Sequence, residues 1–111
     1  MYIADGKTNG PAFSWPDGKR IAVMVTFDYD AEFLRISRAK SKGTSIGFTD
    51  FSRGQYGPHE GLARCLDMLD TMNIKSTFFV PGAVIETYRD TVEEIHRRGH
   101  ELACHGYRHE S

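Results

Sequence analysis

The sequence predicts an α/β fold built on a parallel sheet. Three observations carry this expectation: an apolar run without polar alternation at residues 21–27, helical periodicity over residues 58–72, and a second β-prone run at residues 75–80. A parallel pair needs a crossover between its strands, so strand, helix, strand is the order such a sheet requires.

Taking the elements in order, Ile21-Ala22-Val23-Met24-Val25-Thr26-Phe27 reads as a first strand covered on both faces. The stretch from Tyr29 to Gly57 is rich in Gly, Ser, Arg and Lys and reads as a long active-site loop. From Pro58 the apolar positions Leu62, Leu66, Leu69 and Met72 recur at helical spacing, and proline suits a first helical turn. Lys75 to Val80 then reads as a buried strand closed by Pro81-Gly82. A second helix is expected over Thr91 to Arg98, with Asp90 as its cap, Glu93 three residues on and Gly99 as its stop. Glu101 to Cys104 forms the third strand.

Composition narrows the function classes. Forty per cent hydrophobic and 26% charged residues are ordinary for a globular protein and exclude fibrous and disordered classes. A net charge of −1, with both signs interspersed, gives no basis for nucleic-acid or anionic-membrane binding. The polar start of the chain lacks a signal-peptide pattern, and no apolar run is long enough to span a bilayer. Two cysteines, Cys65 and Cys104, are too few for a disulfide framework and read as small buried hydrophobes. A cytoplasmic location is expected.

The residues able to do chemistry gather at the carboxyl ends of the first and third strands, where parallel α/β proteins place ligands. Asp28 and Asp30 are two apart and point the same way in an extended chain, although aspartates here also suit turn capping. His105 and His109 are four apart and share a face if the segment turns helically. Two imidazoles and one carboxylate make a three-ligand set with room for water, the composition of a catalytic metal site. His59, His96 and His100 read as solvated, and Arg53 and Tyr56 as surface residues of the long loop.

Thr26-Phe27-Asp28-Tyr29-Asp30-Ala31-Glu32, then Ser76-Thr77-Phe78-Phe79-Val80-Pro81-Gly82, then His105-Gly106-Tyr107-Arg108-His109 together resemble the polysaccharide deacetylase family over nearly the whole chain after Ile21. Most of that family has adjacent aspartates in its first motif, whereas Tyr29 separates them here, and Gly106 stands where Ser or Thr is usual. With Glu110 following His109, these features resemble the branch of cytoplasmic peptidoglycan-deacetylase-like proteins and cyclic imide hydrolases.

The resemblance implies that Asp28 is the catalytic base and that Asp30, His105 and His109 hold a divalent metal, with zinc the expected ion. It implies hydrolysis of a non-peptide carbon–nitrogen bond, of the polysaccharide or peptidoglycan N-deacetylase type. The alternatives are a cyclic imide or ureide hydrolase, or a catalytically incomplete metal-binding fragment. The substrate is then an amide-bearing sugar or a small cyclic amide. The implied fold is the N-terminal β/α units of an incomplete, distorted TIM-like parallel barrel. Residues 1–20 are expected to be an extension and 21–111 a truncated portion of the deacetylase domain, with an unpaired sheet edge open to homo-oligomer formation. The family's general acid lies in a later motif that this sequence does not match.

Overall fold

A computed structural model describes residues 14–109, so residues 1–13 and 110–111, Glu110 of the third motif among them, lie outside it. After a 3₁₀ turn at Pro16–Gly18, three strands alternate with helices: β1 (Thr26–Asp28), α1 (Phe33–Ser41), α2 (Phe48–Tyr56), a π-helical turn (Gly57–Gly61), α3 (Leu62–Thr71), β2 (Thr77–Val80), α4 (Gly82–Thr87), α5 (Arg89–Arg97) and β3 (Glu101–Cys104). The strands form one parallel sheet in the order β1-β2-β3, with Phe27 opposite Phe78 and Phe78 opposite Leu102. This is the α/β parallel arrangement that the sequence predicts.

Phe78 and Val80, two apart on β2, point into the helical layer with Leu62, Leu66 and Leu69 of α3, Val84 of α4, and Val92 and Ile95 of α5. Phe27 stacks on Phe78 at 5.0 Å between ring centroids, tying β1 to the same core. Met72, expected on the buried stripe, is exposed because it lies past the last turn of α3.

Several expectations need correction. The first strand is shorter than 21–27: Ile21, Val23 and Met24 are exposed, and pairing begins only at Thr26. The cause lies in the partner, because β2 starts at Thr77 and its chain arrives from a turn at Asn73, whose φ is 52°, leaving no extended backbone beside residues 21–24. The stretch 29–57 is not a structureless loop but holds α1 and α2. Neither helix has a side-chain cap, and Gly54 lies inside α2, so the local signals for helix are weak. Gly54 answers a packing need: a Cβ there would come within 2.5 Å of Glu32 Cα.

Pro58 does not begin a helix. It sits in the π-helical turn joining α2 to α3, where the Leu62 N–H reaches back to the Gly57 carbonyl. Asp90 makes no capping hydrogen bond and lies inside α5, which starts two residues earlier than expected, at Arg89. Cys104 is exposed on the edge strand β3 and Cys65 of α3 is only half-buried. His100 is buried at 3% exposure, its ring edge against Phe78 and its Nδ1 accepting the Ser76 N–H. Among the described residues no helix is long and apolar enough to cross a membrane.

Candidate metal centre

The backbone at the end of β1 sorts its side chains by alternation. Tyr29 donates its N–H to the Phe79 carbonyl at 2.9 Å and turns its ring into the core, where its hydroxyl meets Thr91 Oγ1 at 2.8 Å. Burial pushes the Tyr29 phenol up to about 12, so it stays protonated as a structural group. Asp28 and Asp30, on either side, line one open cleft of about 310 Å³. Asp28 is exposed and Asp30 is largely covered. The separation of the two carboxylates by a tyrosine therefore has a packing reason.

The two histidines follow β3. They come together through a turn and not the helix that their spacing suggests: Gly106 has φ +69° and His109 φ +59°, and the imidazoles meet edge to face at 4.9 Å between centroids. Helix α4 fastens this turn. Its first N–H groups, those of Gly82 and Ala83, donate to the carbonyls of Gly106 and Tyr107 at 3.0 and 2.8 Å, as free N-terminal donors require. Close approach is possible because Gly82 has no side chain; a Cβ would lie 2.6 Å from the Tyr107 ring. From the other side, Ser37 of α1 donates its hydroxyl to the His109 carbonyl at 2.9 Å.

Asp30, His105 and His109 converge, each offering one ligand atom, and those atoms lie within 4.8 Å of one another. His105 Nε2 is 3.4 Å from Asp30 Oδ1, and His109 Nε2 is 3.7 Å from Asp30 Oδ2. Asp30 Oδ1 and His105 Nε2 are both buried without a hydrogen-bond partner among the described residues. Unpartnered buried polar atoms are costly. A divalent cation between them would satisfy both, so the donor set fits a metal. Burial raises the Asp30 carboxyl above its ordinary value; His109, His105 and Arg38 pull it back, and Asp28 pushes with burial. A cation would reverse the burial effect and hold the carboxylate ionised.

All four residues singled out from sequence thus sit at one end of the sheet. Residues not anticipated are Ser37, which steadies the histidine turn, and the arginines of α1 and α2, which wall the cleft. Arg53, read as surface, is exposed as expected and also lines that cleft with Arg35 and Arg38. Their sequence signal was a pair of helices hidden by weak capping. His59 and His96 are exposed, as expected.

Residues 16–111 match the profile of the family described as polysaccharide deacetylase. The chain is 37% identical over 93 residues to the peptidoglycan deacetylase of Helicobacter pylori, covering 84% of this chain and 31% of that protein. It is 32% identical over 94 residues to a peptidoglycan deacetylase-like protein of Gibberella zeae, covering 83% of this chain and 27% of that one. A crystal structure of a Mycobacterium smegmatis protein described as a polysaccharide deacetylase superposes with a TM-score of 0.79 at 42% identity, covering 94% of this chain and 36% of its own. The chain therefore spans about a third of the length of these relatives.

Proposed function

The chain belongs to the polysaccharide deacetylase family, and on that premise we propose that it supplies the metal-holding part of a divalent-metal-dependent hydrolase that removes acetyl groups from sugar nitrogens. In this reading Asp30, His105 and His109 are the ligands and Asp28 is the general base. The observation that carries it is the convergence of one carboxylate from the end of β1 and two imidazoles from the end of β3, with two orphaned buried atoms facing each other. Zinc suits this nitrogen and oxygen donor set. The naming of the Helicobacter pylori and Gibberella zeae relatives favours an N-acetylated polysaccharide or peptidoglycan sugar as substrate.

Asp30, His105 and His109 would hold a divalent cation, which when bound would supply Lewis acidity for an amide carbonyl and for water. Asp28, exposed at the cleft beside Asp30, accepts the proton that the attacking water must lose. The leaving amine takes its proton from an acid outside these four residues. We read residues 21–111 as the N-terminal β/α units of an incomplete barrel; three parallel strands in sequential order support that reading. A cyclic imide substrate is the second reading, favoured by Tyr29 between the two aspartates.

Zinc-loaded full-length protein offered an N-acetylglucosamine oligomer and a cyclic imide tests both. Acetate release from the oligomer, lost in Asp28→Asn, is the expected result. Turnover of the imide alone selects the second reading, and turnover of neither overturns the hydrolase.

A further inference from the structure

On the reading of Asp30, His105 and His109 as ligands, and whatever reaction they serve, we infer that Glu32 and Tyr88 form a positioning pair that fixes Asp30 against the two imidazoles. Asp30 lies between two anchored residues. Before it, Tyr29 turns into the core and its hydroxyl meets Thr91 Oγ1 at 2.8 Å. After it the chain turns sharply: Ala31 has φ +49°, and the Phe33 N–H donates to the Asp30 carbonyl at 3.1 Å. A left-handed residue that carries a Cβ persists only where its surroundings hold it. Glu32 is the holding residue. It is 4% exposed, with the Tyr88 hydroxyl oxygen 2.9 Å from each of its carboxylate oxygens, and α2 closes over its backbone at Gly54.

A carboxylate taken out of water is costly, and an apolar side chain could fill the same space without that cost. What the carboxylate adds is a directed bond to the junction of α4 and α5, where Tyr88 stands. The Tyr88 carbonyl accepts the Thr91 hydroxyl at 2.7 Å, so the anchors of Tyr29 and Glu32 share one footing. The other end of α4 carries the Gly82 and Ala83 N–H groups that hold the histidine turn, and Glu86 within α4 accepts the Tyr107 hydroxyl at 2.8 Å. One six-residue helix and the tyrosine that follows it thus brace both sides of the cation site. Groups behind the ligands orient them and thereby set how tightly a metal is held.

The zinc Kd of full-length protein, read by chelator competition, tests the pair. Tyr88→Phe should raise it about tenfold or more. Glu32→Gln, whose amide oxygen still accepts the phenol, should stay close to wild type. Leu69→Ala, a core change on α3, should lower the zinc-free melting temperature and leave the Kd alone. Tyr88→Phe also strands a buried carboxylate and costs stability. Glu32→Met/Tyr88→Phe replaces both partners with apolar groups, and should regain the zinc-free melting temperature while the Kd stays raised. That split separates positioning from folding. A Kd that recovers with stability in the double variant, a rise in Leu69→Ala as large as in Tyr88→Phe, or a Glu32→Gln Kd as high as that of Tyr88→Phe overturns the inference. His105→Ala, measured alongside, tests the ligands. Zinc lost there but unmoved in Tyr88→Phe removes the positioning pair alone. Zinc retained in His105→Ala, or absent from the wild type, removes the ligand reading and the pair with it.

Discussion

Asp30 Oδ1 and His105 Nε2 face each other across 3.4 Å, both buried and neither hydrogen-bonded among the described residues. Such a pair is expected to bind a cation in solution. Full-length protein should carry one divalent metal per chain, and His105→Ala or Asp30→Ala should weaken zinc binding by about a hundredfold or more in chelator competition. Chelation should lower the melting temperature, by an amount that grows with the ratio of free metal to Kd. Unchanged metal content in both variants would reject the ligand set.

Asp28 is exposed beside the cation site and is not within the converging trio. Asp28→Asn should therefore keep metal stoichiometry and thermal stability while lowering kcat by about a hundredfold to ten-thousandfold. Loss of metal together with activity would make Asp28 a ligand and not a base.

Ser37 holds the His109 carbonyl at 2.9 Å. Ser37→Ala removes about 1 kcal/mol of hydrogen bonding from the turn. The expected result is a several-fold rise in the zinc Kd, with secondary structure by circular dichroism unchanged. An unaltered Kd would show that the α4 contacts alone fix the turn.

Gly54 lets α2 pack on the backbone of Glu32, where a Cβ would sit 2.5 Å from Cα. Backbone cannot rotate away as a side-chain tip can, so Gly54→Ala should destabilise by about 1–3 kcal/mol, read from denaturant midpoints. Gly47→Ala, with open space around its Cβ, is the comparison and should cost only the loss of a favourable N-cap residue, about 1 kcal/mol or less.

Burial lowers the basicity of His100, and nearby Lys75 and Arg98 act in the same direction against Asp70. The unfolded chain takes up a proton near the ordinary value of 6.5, before the folded one does. Its stabilising contribution is therefore complete above pH 6.5 and is lost as pH falls from there through the lower folded value. Zinc-free protein should lose melting temperature on acidification in that window, and His100→Gln should flatten the slope. Equal slopes would assign the effect to other groups.

Much of the fold is legible in the sequence. The β2 and β3 strands and the Leu62, Leu66 and Leu69 stripe follow from pattern, because burial against a sheet leaves a regular apolar signature. That Asp28 and Asp30 share a cleft and that Asp30, His105 and His109 converge follows from residue type and strand order. What stayed hidden depended on partners. Ile21 to Met24 are apolar enough for a strand but have no neighbour to pair with. His100 looked like a turn residue, yet the Ser76 N–H and the Phe78 ring draw it inside. Helices α1 and α2 were masked by Gly54 and absent caps, although that glycine is what lets them pack. The spacing of His105 and His109 pointed to proximity but to the wrong geometry, since a left-handed Gly106 achieves by a turn what a helix would have achieved by its pitch.

The three residues that could hold a cation follow β1 and β3, with β2 lying between those strands. Asp30 and His105 are about 75 residues apart in sequence, so their meeting closes a long loop. Loop closure of that length carries an entropic cost that rises only logarithmically, but it comes late, after both crossovers have formed. A single-residue slip of β1 on β2 would turn Asp30 away from the imidazoles. Metal uptake during refolding should thus lag secondary structure and act as a clasp on the finished register, so that a chain with mispaired strands remains unmetallated.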